Sequence, residues 1–426
     1  MSNWVTRDRQ VVWHPFTPLT DSEQNLVVTS AKGIYLHTED GRKIIDGISS
    51  WWVNIHGHSH PVIAEAIYHQ ALALEHVIFA GFTHPPAIQL AENLLEILPK
   101  NQSKIFYSDN GSTAVEVALK MAIQYWYNLG LPKKKIIALK GAYHGDTFGA
   151  MSVGERGTFT SAFHDHLFPV EYLEFPEDVD EDQLLTQLQN AVQHKDVAAF
   201  IYEPLIQGAA GMRIYSKELL DKMLRLARAH NVILIADEVF TGFGRTGVYF
   251  ASDYLSILPD IIALSKGLTG GTMALGVTSC TADIQNAFAS PDALKTFFHG
   301  HSFTANPIAC AAAIASLKLL RDGETWTSIK KISSLQFQFS ERIKNHSAVE
   351  KSKSLGTILS IEITTKGETN YFNSLRKEIY RHFLQRNILL RPLGNVLYFL
   401  PSYVFTETEI KLVHQEIEMF LNRLGK

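Results

Sequence analysis

Two charged residues stand where apolar runs stop: Asp237 closes the run Asn231 to Asp237, and Lys266 follows Ile261 to Ser265. In a parallel sheet the C-terminal strand ends meet at a ligand crevice, so both charges can face one ligand without crossing the core. An amine and a carboxylate converging on one aromatic ring is what pyridoxal phosphate requires. The amine forms an imine, and the acid keeps the pyridine nitrogen protonated so that the ring can take up electrons. Strand-end charges that simply face water are the ordinary alternative, and neither residue decides the matter alone.

A phosphate would need its own site. Asp109-Asn110-Gly111-Ser112-Thr113 lies between a short apolar run and a helical pattern with Val115, Leu119, Ala122 and Trp126 on one face. The N–H groups and dipole of a helix N-terminus favour an anion, and Ser112 adds a hydroxyl; the same spacing by itself is a simple N-cap. Tyr143, in Gly141 to Thr147, can stack on a planar ring, although a lone loop tyrosine more often packs. His56, His58 and His60 alternate, a spacing that could put three imidazoles on one strand face. No cysteine or acidic residue sits nearby in sequence, and we expect no metal. Gly242-x-Gly244 lacks the third glycine of a dinucleotide fingerprint.

These residues must be positioned by strands alternating with helices. Strand patterns at 104–108, 135–139, 198–202, 232–236, 261–264 and 276–280, with a helical pattern at 218–230, predict a mostly parallel sheet covered on both faces. Residues 33–45 read as a hairpin about Asp40-Gly41, and a helix opens at Asn306-Pro307. The C-terminal third adds strand patterns at 358–363 and 397–400 and further helices. We expect an α/β protein in which a large domain, 61–305, carries the site. The ends, 1–60 and 306–426, would combine into a smaller α+β domain.

The 426 residues carry Lys+Arg 39 against Asp+Glu 43, a net charge of -4, without a basic run long enough to suggest nucleic acid. The longest apolar run, Ile308 to Ala315, is far short of the roughly 18 to 20 residues that span a bilayer. Two cysteines make no disulfide framework and the N-terminus lacks an apolar signal segment, so a cytoplasmic location is expected.

The ordered segments Gly111-Ser112, Tyr143-His144-Gly145, Glu203-Pro204, 236–239, 241–247, 265–267 and 299–307 resemble the class III (ornithine-type) pyridoxal-phosphate aminotransferases of fold type I. That resemblance implies the coenzyme pyridoxal 5′-phosphate, with Lys266 as its Schiff-base lysine and proton shuttle. It implies that Asp237 holds the pyridine nitrogen, that Tyr143 and Val239 cover the two ring faces, and that Gly111 and Ser112 bind the phosphate. Gly300, His301 and Ser302 would reach across a homodimer to the partner's site, Ser302 standing where the family usually has threonine.

Within the class, Trp13 to Thr17, Ser49 to Trp52, Tyr143 to Ala150 and Leu390 to Asn395 resemble the members that convert 8-amino-7-oxononanoate to 7,8-diaminononanoate in biotin synthesis. The implied reaction is a ping-pong transfer through pyridoxamine phosphate, with S-adenosyl-L-methionine as donor. L-Lysine is the alternative donor, and another ω-aminotransferase the alternative activity. Phe16, Trp51, Trp52, Tyr143, Lys266 and Gly300 would line the substrate site, and Arg391 would grip a substrate carboxylate bidentately. Phe16 departs from the tyrosine usual in the S-adenosylmethionine-using members and loses its hydroxyl.

Overall fold

The structure, a computed structural model, describes residues 3–20, 25–367 and 369–425. Seven strands form the central sheet in the spatial order Gln102–Ser108, Gly276–Thr281, Ile261–Leu264, Ile233–Asp237, Val197–Tyr202, Lys135–Leu139 and Glu171–Leu173. Gly276–Thr281 runs antiparallel to both neighbours and the other pairs are parallel, giving the mostly parallel α/β sheet expected from sequence.

Both faces of the sheet are buried, which is why its central strands read as unbroken apolar runs. Leu234 and Ala236 enter one core with Phe200, Tyr202, Ile262 and Leu264; Ile233 and Ile235 enter the other with Ile201, Ala263 and the helix residues Val115 and Ala118. Asp237 shares the parity of Ile233 and Ile235, so its carboxylate leaves the strand on the side of helix Gly111–Asn128. That helix starts where Asn110 accepts the Thr113 N–H and Thr113 answers the Asn110 N–H, a reciprocal cap.

Both chain ends pack against this layer. Strands Val28–Lys32, Tyr35–Thr38 and Lys43–Asp46 form an antiparallel meander that Ile388–Leu389 joins in parallel. A second small sheet contains Val349–Leu355, Ile358–Ile363 and Val396–Phe399. The first of these strands escapes an apolar reading because its sequence, VEKSKSL, is that of a lysine-bearing edge strand. The expected helices span Lys217–Ala229 and Pro307–Leu320, capped by Ser216 and Asn306. Among the described residues no helix is long and apolar enough to cross a membrane.

Candidate active site

A cavity of about 450 Å³ opens at the C-terminal ends of the central strands and is lined by Asp237, Lys266, Tyr143, Val239, Gly111, Ser112 and Trp52, among others. Ile233–Asp237 and Ile261–Leu264 are adjacent and parallel, with Asp237 opposite Ala263, so Lys266 emerges beside the carboxylate. Its Nζ lies 4.6 Å from the centre of the Trp52 ring and 5.5 Å from that of Phe240. Burial of the amine lowers its pKa to about 8, against the opposing pull of Asp237 and Glu203.

Asp237 is buried, and each of its oxygens has one partner while keeping acceptor capacity to spare. Its Oδ2 lies 2.7 Å from His144 Nδ1, and its Oδ1 accepts the Val239 N–H at 3.0 Å. An ionised carboxylate only accepts, which assigns the imidazole proton to Nδ1. Nearby, Glu203 accepts the N–H groups of Tyr143 and Gly208, and burial raises its pKa to about 7.

At the helix N-terminus the Thr113 and Ala114 N–H groups are taken by Asn110, leaving those of Gly111 and Ser112 for an anion. The Ser112 hydroxyl accepts the Asp146 N–H at 3.1 Å and retains its own hydrogen to donate. Gly145, at φ +128, makes this approach possible: a Cβ there would lie 2.1 Å from Ser112 Oγ.

This donor set fits pyridoxal phosphate. A helix N-terminus with a free hydroxyl hydrogen suits the phosphate, a buried carboxylate suits a protonated ring nitrogen, and a buried amine of lowered pKa suits the aldehyde. Tyr143 and Val239 line the same cavity. Tyr143 is held by its hydroxyl, which donates to Asp146 Oδ2 at 3.0 Å.

The substrate-side residues divide. Trp52 lines the cavity and donates from Nε1 to the Tyr398 hydroxyl at 3.0 Å. Trp51, Phe16 and Arg391 form an outer cluster: the Arg391 guanidinium lies 4.9 Å over the Trp51 ring, and the Phe16 ring stands edge-on to Trp51 at 5.7 Å. The two tryptophans point apart because Ser49, Ser50 and Trp52 hold left-handed φ of +50, +60 and +70, a conformation costing roughly 1–3 kcal/mol per residue. Ser49 Oγ donates to the Leu400 carbonyl and Ser50 Oγ to Asp46, fixing the turn. Gly300, His301 and Ser302 do not line this cavity; His301 Nδ1 accepts the Phe303 N–H, and the Ser302 side chain is exposed.

Of the three alternating histidines, His56 and His60 stay close, their rings edge-on at 6.3 Å, while His58 turns away to Asp46. His56 pairs with Ser316, its pKa lowered to about 3 by burial; His58 pairs with Asp46; His60 precedes helix Pro61–Ala73. Among the described residues no three histidine, cysteine or acidic side chains gather as metal ligands.

Sequence reasoning gave no role to His144, Glu203, Arg245 or Tyr398. Arg245, 1% exposed, donates to the carbonyls of Pro401, Trp52 and Asn54, tying the turn at 241–247 to the tryptophan turn. The first three lie inside motifs that marked their segments, but a partner 93 residues away in sequence, as for His144, leaves no local signal.

The family described as Aminotransferase class-III matches residues 19–421. The adenosylmethionine-8-amino-7-oxononanoate aminotransferase of Synechococcus elongatus is 47% identical over 421 residues, 97% of this chain and 99% of that one. The protein of that name from Staphylococcus aureus is 36% identical, covering 95% and 94%. A crystal structure of the aminotransferase of the same name from Methanocaldococcus jannaschii superposes with a TM-score of 0.93 at 34% identity, covering 99% and 98%. An ω-transaminase from Pseudomonas jessenii in complex with PMP gives 0.92 at 25% identity, again covering 99% and 98%.

Proposed function

Since this chain belongs to the class-III aminotransferase family, pyridoxal-phosphate enzymes of fold type I, we propose that it transfers an amino group from S-adenosyl-L-methionine to 8-amino-7-oxononanoate. The product would be 7,8-diaminononanoate, a step of biotin biosynthesis. The observation that carries the chemistry is the convergence of Lys266 and Asp237 from adjacent parallel strands on one cavity. The substrate assignment draws on relatives at up to 47% identity that bear this activity in their names.

When bound, pyridoxal phosphate supplies a carbonyl for the substrate amine and a ring that takes up the electron pair freed at the substrate carbon. In this reading Asp237, oriented by His144, keeps a proton on the ring nitrogen. Lys266 accepts and returns the migrating proton, a task that a pKa of about 8 suits near neutrality. Tyr143 and Val239 hold the ring between them, and Gly111 and Ser112 hold the phosphate. Arg391 grips the carboxylate that each substrate carries in turn, while Phe16, Trp51 and Trp52 form an apolar wall that sheds water.

The active unit in this proposal is a cytoplasmic homodimer in which Gly300, His301 and Ser302 serve the partner's phosphate. The proposed division is a large domain, 61–305, with 1–60 and 306–426 forming the smaller one. L-Lysine as donor is the second reading, favoured by Phe16, which has no hydroxyl to orient S-adenosylmethionine. Assaying diamine formation from 8-amino-7-oxononanoate with a panel of amino donors tests both readings. Formation with S-adenosylmethionine supports the first, formation with lysine alone the second, and none with any donor rejects the acceptor.

A further inference from the structure

Beyond Trp51 the apolar wall does not stop. Phe16 stands 6.2 Å from Phe159, which lies 5.5 Å from Phe372 in a stacked arrangement and 4.9 Å from Tyr371. Rings from four separate chain segments, Trp51, Phe16, Phe159 and Tyr371-Phe372, thus follow one another in steps of about 5 to 6 Å. Phe16, Phe159 and Phe372 are 48%, 52% and 62% exposed. Aromatic rings gathered from distant segments and left in water mark a surface kept for a ligand rather than a core.

The rim is held in place. Gly394, three residues past Arg391 and at φ +65, seats the loop before Tyr371 so closely that a Cβ would lie 1.8 Å from the Asn370 carbonyl oxygen. The Phe372 N–H is fixed by Asn370 Oδ1 at 2.9 Å, and the Arg376 guanidinium lies 4.3 Å over the Tyr371 ring. Phe159 lies within a turn closed by the Thr160 N–H to the Gly157 carbonyl. The loop that carries Phe372 therefore rests on the segment that carries Arg391.

We propose that Phe159 and Phe372, with Tyr371 behind them, form the outer donor subsite and stack on the flat heteroaromatic base of a nucleoside-bearing amino acid. This deepens the donor assignment and rests on it. A donor whose carboxylate meets Arg391 and whose amine meets Lys266 must project its remaining end past Trp51 and Phe16, onto this rim. A nucleobase offers two π faces to such rings; an unbranched aliphatic amine has no comparable group. Phe159 and Phe372 are specificity-determining residues for the first half-reaction and take no part in the second.

The probe is 5′-methylthioadenosine, which carries the base and thioether without the amino acid, titrated calorimetrically into the holoenzyme. Stacking of this kind predicts about tenfold weaker binding in Phe159→Ala and in Phe372→Ala, with affinity retained in Phe159→Trp. The rate of the acceptor half-reaction should stay within about twofold in all three variants, which a general structural defect would not allow. Unchanged probe affinity in the alanine variants, or no binding to the wild type, overturns the subsite. Failure of the wild type to react with S-adenosylmethionine, while rim-dependent probe binding persists, would overturn the donor assignment and leave the subsite standing.

Discussion

His144 Nδ1 and Asp237 Oδ2 meet at 2.7 Å inside the protein, with both residues under 5% exposed. The carboxylate also receives the Val239 N–H, so its orientation is set before any ligand arrives. His144→Phe should keep the fold and lower kcat about 10- to 100-fold, the loss expected for a hydrogen bond to a charged group worth roughly 1.5–3 kcal/mol. Asp237→Asn should lose activity by orders of magnitude, since an amide cannot stabilise a protonated ring nitrogen. Steady-state kinetics check both; a His144→Phe enzyme of wild-type kcat would remove the histidine from the orienting role.

Lys266→Ala should abolish turnover while retaining part of the coenzyme through the phosphate contacts. In the apoprotein, burial lowers the folded-state pKa of this amine to about 8, below its ordinary value near 10.5. Between these values the unfolded chain binds the extra proton, so stability from this group rises with pH across that window and is lost as pH falls toward 8. The neutral amine is the nucleophile, so coenzyme uptake followed by absorbance should accelerate up to about pH 8 and then level off. Continued acceleration to pH 10 would mean an unperturbed amine.

Arg391 is partly exposed and lies over Trp51 rather than in a sealed pocket. Arg391→Ala should therefore cost near the lower end of the range for a charge-assisted pair, about 2 kcal/mol, expressed as higher KM for both substrates. An increase for one substrate only would show that the carboxylates are held at different places.

Subunit sharing can be tested by mixing. A heterodimer of Lys266→Ala with a disruptive Ser302 variant should contain one site with both lesions and one with neither. Recovered activity after verified subunit exchange is the expected result; none would place Ser302 outside the partner's site.

Asp237 and Lys266 were legible because burial on both sheet faces makes central strands continuous apolar runs, and a charge that ends such a run stands out. Ser112 was legible through the strand-to-helix junction. His144 and Glu203 were not, because their roles lie in contacts between loops that only the closed sheet brings together. The turn at Ser49 to Trp52 was hidden for another reason: three non-glycine residues adopt left-handed φ there, held by Leu400, Tyr398 and Asp46 rather than by local preference. The three-residue strand Glu171–Leu173 is too short to show a pattern of its own.

The aromatic wall bears most directly on which amino donor the site takes. Phe16 keeps its edge-on contact with Trp51 without a hydroxyl, so Phe16→Tyr should shift donor kinetics modestly and create no new activity. Stopped-flow absorbance of the aldehyde form of the holoenzyme, mixed separately with S-adenosylmethionine and with L-lysine, gives the most direct test. Rapid loss of the aldehyde band with S-adenosylmethionine and slow or no loss with lysine is expected; rapid loss with lysine and none with S-adenosylmethionine would contradict S-adenosylmethionine as the donor.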